Sequence, residues 1–305
     1  MNTYPVIDIR HSRDGNPVLI GSLHLPAKEW SDRSLELPPR KHKFSILFSS
    51  KDEESVVCAA MIKDRFGTDV AFSINTDDKI ESELFWASFP TDLITIGGPP
   101  GSEIELSLST KEQRLWQPSS FLHEFLDSFK MWTGSSKNDN RQYHILDAGS
   151  GTGRNAIFLA QSIASSIIVA IDNRRSMIEK AEKFTTRCEV KDQVQCKIAD
   201  IDEYIDSFSN SNNHLFDIVL FMRFVHKSAL SKIHTLLQRD GIVVVEGFHV
   251  SSPHPTDDNQ KIKEGEVSQI LRNSCKDVIV LLEKIIEIED MRPVLVVVCR
   301  LQTKL

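Results

Sequence analysis

The stretch HILDAGSGTGRNAIFLA, from His144 to Ala160, decides the fold of this 305-residue chain. A short apolar run leads into Gly149, Gly151 and Gly153, and apolar residues at helical spacing follow. This pattern predicts a strand, a tight turn and a helix. Glycines at alternate positions allow backbone conformations that side chains forbid, and they bring bare peptide groups to a ligand at the helix N-terminus.

Two kinds of ligand fit such a turn. Gly151, Gly153 and Ala156 match a permissive G-x-G-x-x-A form of the dinucleotide-binding fingerprint. However, Asp147 stands two residues before the first glycine, where its carboxylate would repel a pyrophosphate and attract an ammonium and a sulfonium. The order Asp-x-Gly-x-Gly-x-Gly resembles motif I of the class I S-adenosylmethionine (AdoMet)-dependent methyltransferases. Gly-Arg-Asn-Ala at 153–156 is similar to the tellurite-resistance-type branch of that family.

The resemblance implies that AdoMet is the cofactor and that its methionine half contacts the motif I positions, which are Asp147, Gly149, Gly151 and Gly153. Two further acids follow predicted strands. SSIIVAID, at 165–172, ends in Asp172, about 20 residues beyond the turn, where an acid can bind both ribose hydroxyls. After a strand at 194–199, the resemblance implies that Asp200 binds the adenine amino group and that Ile201 lies beside the ring. Open α/β sheets bind ligands at the edge where such strands end.

The remaining strands of this domain are predicted at 216–222, in a run ending at Glu246, and in an antiparallel hairpin near 278–288 and 293–301. A polar lid is predicted from His249 to Glu266. The predicted fold class is therefore α/β, with a Rossmann-like, seven-stranded class I methyltransferase sheet preceded by a smaller α/β domain.

Three segments organise the chain. The glycine and proline pairs of ITIGGPPGSEIEL, at 94–106, indicate a boundary. We expect a rhodanese-like domain at 1–105, a linker and a helix packing on the second domain at 106–140, and the methyltransferase domain at 141–305.

The rhodanese-like prediction rests on three runs. VIDIR (6–10) is predicted as a strand, IGSLHLP (20–26) as a turn followed by a short strand, and FSILF (44–48) as a strand that enters a loop. Their order resembles that family, in which a cysteine opens the loop after the third of these runs. Here Ser49 holds that position. A hydroxyl cannot carry a persulfide, so we predict that this domain does no sulfur transfer. The domain is instead a candidate for binding a protein partner.

A helix follows this loop, from Glu54 to Phe66. Its spacing places Val57, Ala60, Met61 and Asp64 on one face, which is predicted to be the apolar face. Cys58 is expected to be a packed structural cysteine, because free cysteine is among the most buried residues.

Composition limits the setting in which the protein works. The chain is 40% hydrophobic and 26% charged, with a net charge of −7, and this balance disfavours nucleic acid as a partner. Its five cysteines contain no C-x-x-C pair, which fits reduced thiols. No membrane-spanning run or signal peptide is recognisable. We therefore expect a cytoplasmic protein, with the nucleus left open, that uses no membrane and no metal.

Candidate catalytic residues follow the fourth strand, in the segment RFVHK at 223–227. This segment is similar to the Arg-aromatic-Leu-His segment of the same branch. Arg223 would offer a bidentate fork to an anionic substrate, and His226 would take a proton from the nucleophile or hydrogen-bond it. The alternative is that Arg223 pairs with an acid such as Glu246 and that His226 caps the next helix.

The methyl acceptor is the least constrained prediction. An Asn-Pro-Pro-aromatic loop, typical of amino and nucleobase N-methyltransferases, is absent, which disfavours adenine or glutamine methylation. The branch resemblance favours a small-molecule substrate with a soft nucleophile, such as a thiol, selenol or tellurium oxyanion. Two alternatives stay open. One is a protein or RNA methyltransferase that docks through its N-terminal domain, and the other is a non-catalytic AdoMet-binding regulator.

Overall fold

The computed structural model describes residues 4–13, 16–39, 41–96, 103, 114–133, 141–208, 215–275 and 277–302. The chain forms two compact units, Met1–Gln117 and Pro118–Leu305. The predicted linker at 106–140 is thereby divided, and its helix belongs to the second unit. Much of the predicted boundary at 94–106 lies outside the described residues.

The first unit is a small α/β unit. Its elements are β1 (Val6–Asp8), β2 (Pro17–Leu19), β3 (Leu23–His24), α1 (Trp30–Arg33), β4 (Phe44–Phe48), α2 (Glu53–Phe66), β5 (Val70–Asn75), α3 (Lys79–Trp86) and β6 (Ile94–Ile96). A parallel sheet has the order β3-β1-β4-β5, and β2 pairs with β6 separately. β4 has its predicted bounds, and β1 is shorter than the strand predicted at 6–10. The turn and short strand predicted within 20–26 are present, and the strand is β3.

The predicted apolar face of α2 is wrong. Val57 and Met61 are 54% and 49% exposed. The helix instead buries a stripe shifted by one residue, Ser55, Cys58, Ala59, Ile62 and Phe66. The larger side chains of this stripe pack on the sheet, and the rings of Phe66 and Phe44 meet edge to face at 5.3 Å. The buried position of Cys58 is confirmed, and burial raises the pKa of its thiol to about 11.

The second unit contains one large sheet with helices. Its elements are α4 (Phe121–Thr133), β7 (Tyr143–Ala148), α5 (Arg154–Ser162), β8 (Ser166–Asp172), α6 (Arg175–Arg187), β9 (Val194–Ile198), α7 (Ile201–Phe208), β10 (Phe216–Met222), α8 (Lys227–Lys232), β11 (Leu237–His249), β12 (Lys261–Ile262), α9 (Glu266–Ser274), β13 (Val278–Glu287) and β14 (Pro293–Leu301).

The sheet order is β13-β14-β11-β10-β7-β8-β9. Strands β7 to β11 are parallel, β14 is antiparallel to β11, and β13 is antiparallel to β14. The chain leaves β7 for β8 on one side and later returns to β10 on the other, so the strand order reverses between β7 and β10. A reversal of this kind opens a crevice at the carboxyl ends of the strands, where open α/β sheets bind ligands.

The prediction of seven strands needs one correction. All seven are present, but β12 adds a two-residue strand from within the predicted lid. The fifth strand also runs to His249 rather than ending at Glu246, because Phe248 pairs with Lys261 of β12 on one side and with Val294 of β14 on the other. These pairings join distant segments, so local sequence does not indicate them.

Candidate functional site

The glycine turn after β7 forms one wall of the candidate site. Gly149, Gly151 and Gly153 have φ values of +70°, +56° and +77°, in the region that favours glycine. Gly153 is also the N-cap of α5. Phe224, which follows β10, lies against Gly149 so closely that a Cβ there would be 2.5 Å from its ring. A side chain at position 149 would therefore displace this aromatic ring.

Asp147 is a buried acid within β7. It is 1% exposed, and neither carboxylate oxygen has a hydrogen-bond partner among the described residues. Its pKa is raised to about 7, chiefly by burial and also by the negative charge of Asp172. The Ala156 amide opposes this rise, although its geometry falls short of a hydrogen bond. A buried carboxylate without a partner costs free energy unless a cation joins it. Asp147 is therefore suited to an ammonium group.

Asp172 ends β8 beside the glycine turn. It accepts hydrogen bonds from the Gly151 amide at 2.9 Å and from the Arg174 amide and Nε at 2.9 and 3.0 Å. Although burial opposes ionisation, the hydrogen bonds from Arg174 and Gly151 hold the pKa of Asp172 below its usual value. The carboxylate is thus ionised and faces the turn.

Asp200 and Ile201 stand where β9 passes into α7. The Asp200 carboxylate accepts the Asp202 amide at 2.9 Å, and Ile201 is 3% exposed. The structure brings most of the predicted residues to one cavity of about 260 Å³, which is lined by Gly149, Ile171, Asp172, Asn173, Arg174, Ala199, Asp200, Ile201, Arg223 and Phe224. Four predicted residues do not line this cavity. Asp147, Gly151 and Gly153 belong to β7 and the glycine turn, and His226 lies at the N-terminus of α8.

Arg223 is held by two carboxylates. Its φ of +56° is a conformation that costs a non-glycine residue about 1–2 kcal/mol. Its amide donates to the Glu246 carbonyl at 2.6 Å, its Nε to Glu246 Oε1 at 3.0 Å, and its Nη2 to both oxygens of Glu289 at 3.1 and 2.9 Å. These two acids outweigh burial and raise the pKa of Arg223. The pairing with Glu246 named as the alternative is present.

His226 is the N-cap of α8. Its Nδ1 accepts the Ala229 amide at 3.3 Å and lies 3.5 Å from Asp202 Oδ2. Since Nδ1 accepts this hydrogen bond, we assign the proton of the neutral ring to Nε2. The capping contact named as the alternative is therefore present as well. A catalytic role for Arg223 and His226 remains a prediction.

Residues 139–295, just over half of the chain, match a protein-family model described as "Methyltransferase domain". The chain belongs to this methyltransferase family. A protein of Schizosaccharomyces pombe, "Uncharacterized protein UNK4.09", is 23% identical over 312 residues, which are 90% of this chain and 86% of that protein. This relative therefore spans both units of the methyltransferase.

Two other similarities are narrower. The tRNA1(Val) (adenine(37)-N6)-methyltransferase of Glaesserella parasuis is 37% identical over 68 residues, which are 22% of this chain and 29% of that enzyme. The solved O-methyltransferase TomG from Streptomyces achromogenes, in complex with SAM, has a TM-score of 0.46 at 15% identity and covers 63% of this chain and 84% of its own. Neither similarity is extensive enough to identify the acceptor.

The methyltransferase is AdoMet-dependent, and the residues of β7, the glycine turn and the cavity fit that cofactor. Asp147 would hold the methionine ammonium, since its buried oxygens have no described partner. Asp172 would bind the ribose, and Asp200 the adenine beside Ile201. When bound, AdoMet supplies a methyl group activated by a sulfonium.

Sequence reasoning misses Ile171, Asn173, Arg174 and Ala199 of the cavity lining, and it also misses Phe224, Glu289 and Ser119. Phe224 adjoins a candidate residue, but no local pattern marks its contact with Gly149. Glu289 lies 66 residues after Arg223, and Ser119, whose hydroxyl donates to Glu246, lies 127 residues before that acid. Only the completed sheet brings these pairs together.

In the ranges that the structure describes, no helix has both the length and the apolar run that crossing a membrane requires. Within the same ranges, no group of three or more His, Cys, Asp or Glu side chains is arranged to hold a metal ion.

Proposed function

We propose that this methyltransferase transfers the methyl group of AdoMet to a soft nucleophile of a small acceptor, a thiol, selenol or tellurium oxyanion. The observation that carries the proposal is the position of Arg223, which lines the same cavity as Gly149 and Asp172. Glu246 and Glu289 already balance the charge of Arg223. Its guanidinium would therefore favour an acceptor that arrives as an anion, such as a thiolate, by exchanging Glu289 for it.

A thiolate simplifies the chemistry that the protein must perform. Its sulfur attacks the methyl carbon in line, and a new S–C bond forms as the bond to the sulfonium breaks. The products are a thioether and S-adenosylhomocysteine, both without charge on the reacting sulfur. No proton has to be removed, so the contribution of the protein is position, which is worth several kcal/mol.

His226 supports this scheme through its tautomer. With Nδ1 accepting the Ala229 amide, Nε2 carries a proton that it can donate. A donor of this kind would hold a thiolate, whereas it would be unable to take a proton from a thiol. The hydrogen-bonding role is therefore preferred to that of a general base.

We also propose that the first unit is a rhodanese-like domain without sulfurtransferase activity. Support comes from the loop after β4, where a carboxylate of the protein itself takes the anion position. The Ser49 hydroxyl donates to Asp77 Oδ2 at 2.6 Å, and the Lys51 amide donates to the same oxygen at 3.1 Å. Incubation with thiosulfate and cyanide should give no thiocyanate above background. Clear turnover would contradict this assignment.

The acceptor proposal is tested with AdoMet labelled in the methyl group. The protein is incubated with 2-mercaptoethanol and, separately, with a cell extract divided into small-molecule, protein and RNA fractions. We expect label in the volatile thioether and in the small-molecule fraction. Label in protein or RNA instead would support the docking alternative. S-adenosylhomocysteine binding without any transfer would support a regulator.

A further inference from the structure

Arg223 divides its donors between two acids in different surroundings. The side chain of Glu246 is 0% exposed, and it accepts Nε together with the Ser119 hydroxyl. The side chain of Glu289 is 27% exposed, in the turn between β13 and β14, and accepts Nη2. Among the described residues, none accepts a hydrogen bond from Nη1.

These surroundings decide which ion pair can open. Removing the guanidinium from Glu246 would leave a buried charge without compensation, which proteins tolerate poorly. A pair as exposed as Arg223 with Glu289 contributes little to stability and is screened by salt. Glu246 is therefore the fixed partner of Arg223, and Glu289 is the exchangeable one.

We propose that Arg223 is a carboxylate-binding site of the methyl-transfer cavity and that Glu289 occupies it until the carboxylate of a ligand takes its place. The inference rests on the proposed function, because the ligand is a reactant of methyl transfer. Two reactants can bring a carboxylate: AdoMet, through its methionine half, and an acceptor such as a thiol acid. Either would meet Nη1 and Nη2, which form a planar fork that binds carboxylates in a bidentate manner.

The turn that carries Glu289 has an ion pair of its own. Asp290 accepts Arg292 Nη2 at 2.7 Å and Nε at 2.8 Å. The turn therefore does not depend on Glu289 for its charge pairing, and Glu289 can leave Arg223 for solvent. Asp290→Asn also provides a matched control, since it removes one negative charge that Arg223 senses from the same turn but removes no hydrogen bond to Arg223.

The test compares Glu289→Gln with Asp290→Asn by calorimetry. Each protein is titrated with S-adenosylhomocysteine and with 5′-methylthioadenosine, which lacks the amino-acid carboxylate. Protein loaded with S-adenosylhomocysteine is then titrated with 3-mercaptopropionate and with 2-mercaptoethanol, which lacks a carboxylate. In one of these two ligand pairs, we expect Glu289→Gln to bind the ligand that has a carboxylate roughly two- to fivefold tighter, because the weak competing ion pair with Glu289 is gone. The affinity of Glu289→Gln for the ligand without a carboxylate, and the affinities of Asp290→Asn, should change less.

The pair that responds identifies the source of the carboxylate. Tighter S-adenosylhomocysteine assigns Arg223 to the cofactor, and tighter 3-mercaptopropionate assigns it to the acceptor. Arg223→Lys keeps a charge beside Glu246 but loses the fork, and it should weaken the same ligand. If Glu289→Gln tightens neither carboxylate ligand beyond its counterpart, the proposal is overturned. If no thiol is methylated, the proposed function fails, while the two adenosine ligands still test Arg223.

Discussion

The phenyl ring of Phe224 lies against the α-carbon of Gly149, and a Cβ at that glycine would stand 2.5 Å from ring atoms Cγ and Cδ1. The contact joins the segment after β10 to the glycine turn after β7, on the two strands between which the sheet order reverses. The glycine turn and the segment that carries Arg223 are therefore packed together. A substitution in one of these segments should therefore disturb the packing of the other.

Gly149→Ala should destabilise the protein by roughly 2–4 kcal/mol, since it adds a clash with Phe224 to the cost of a left-handed alanine. Gly265→Ala is the control: its φ is +76°, and nothing lies within 4 Å of the added Cβ. That variant should lose only about 1 kcal/mol. Urea unfolding measures both. Equal losses would show that Phe224 moves aside freely, and a Gly149→Ala, Phe224→Ala double variant should recover part of the stability.

Asp147→Asn should make the protein without cofactor more stable at pH 8 and weaken its binding of S-adenosylhomocysteine. Because the folded pKa of about 7 exceeds the ordinary 3.8, the proton of Asp147 stabilises the fold at low pH, and this contribution is lost as pH rises through 7. The neutral amide of the variant avoids this loss, so its free energy of unfolding should exceed that of the wild type by on the order of 1–4 kcal/mol at pH 8 and by less at pH 5. Unfolding measurements at both pH values test the stability, and calorimetric titration tests the binding. Unchanged binding would remove Asp147 from the cofactor site.

His226→Asn should separate the two roles of this side chain. Asparagine is a good N-cap, so α8 should keep its first turn. If Nε2 holds the nucleophile, kcat with a thiol acceptor should fall about a hundredfold, while S-adenosylhomocysteine binds as before. Assays with labelled AdoMet, stopped at successive times, measure the rate of methyl transfer to the thiol. Wild-type turnover in this variant would leave His226 with the capping role alone.

Asp77→Asn should loosen the loop after β4 in the first unit. Hydrogen bonds from Ser49 and from Lys51 lower the Asp77 pKa to about 2, so its contribution to stability is present above pH 3.8 and is lost as pH falls towards 2. At pH 7 the neutral amide should weaken these bonds by about 1–2 kcal/mol. Hydrogen exchange should accelerate at 49–55, and it should not do so in the exposed-acid control Asp92→Asn. Unaltered exchange would argue that Asp77 does not order the loop.

Sequence predicts most of the second unit because its signals are local. The glycines of the turn need positive φ, and β10, whose seven residues are all buried, is apolar except for Asp217. The acids that end parallel strands come to one edge by topology, so Asp172 and Asp200 could be placed before any contact was known.

The failures have a common physical cause. Helix α2 carries two apolar stripes one residue apart, and packing on the core of the first unit decides that Ile62 rather than Met61 is buried. Glu289 gives no local signal, because its partner Arg223 is reached through the β13–β14 hairpin. Local periodicity cannot choose between equivalent faces or find partners that the tertiary fold supplies.

The central claim is that AdoMet, and not a dinucleotide, binds where β7, β8 and β9 end. Parallel calorimetric titrations of the full-length protein with S-adenosylhomocysteine and with NAD test it most directly. We predict one site for S-adenosylhomocysteine and no heat of binding with NAD. Binding of NAD with no response to S-adenosylhomocysteine would contradict the account.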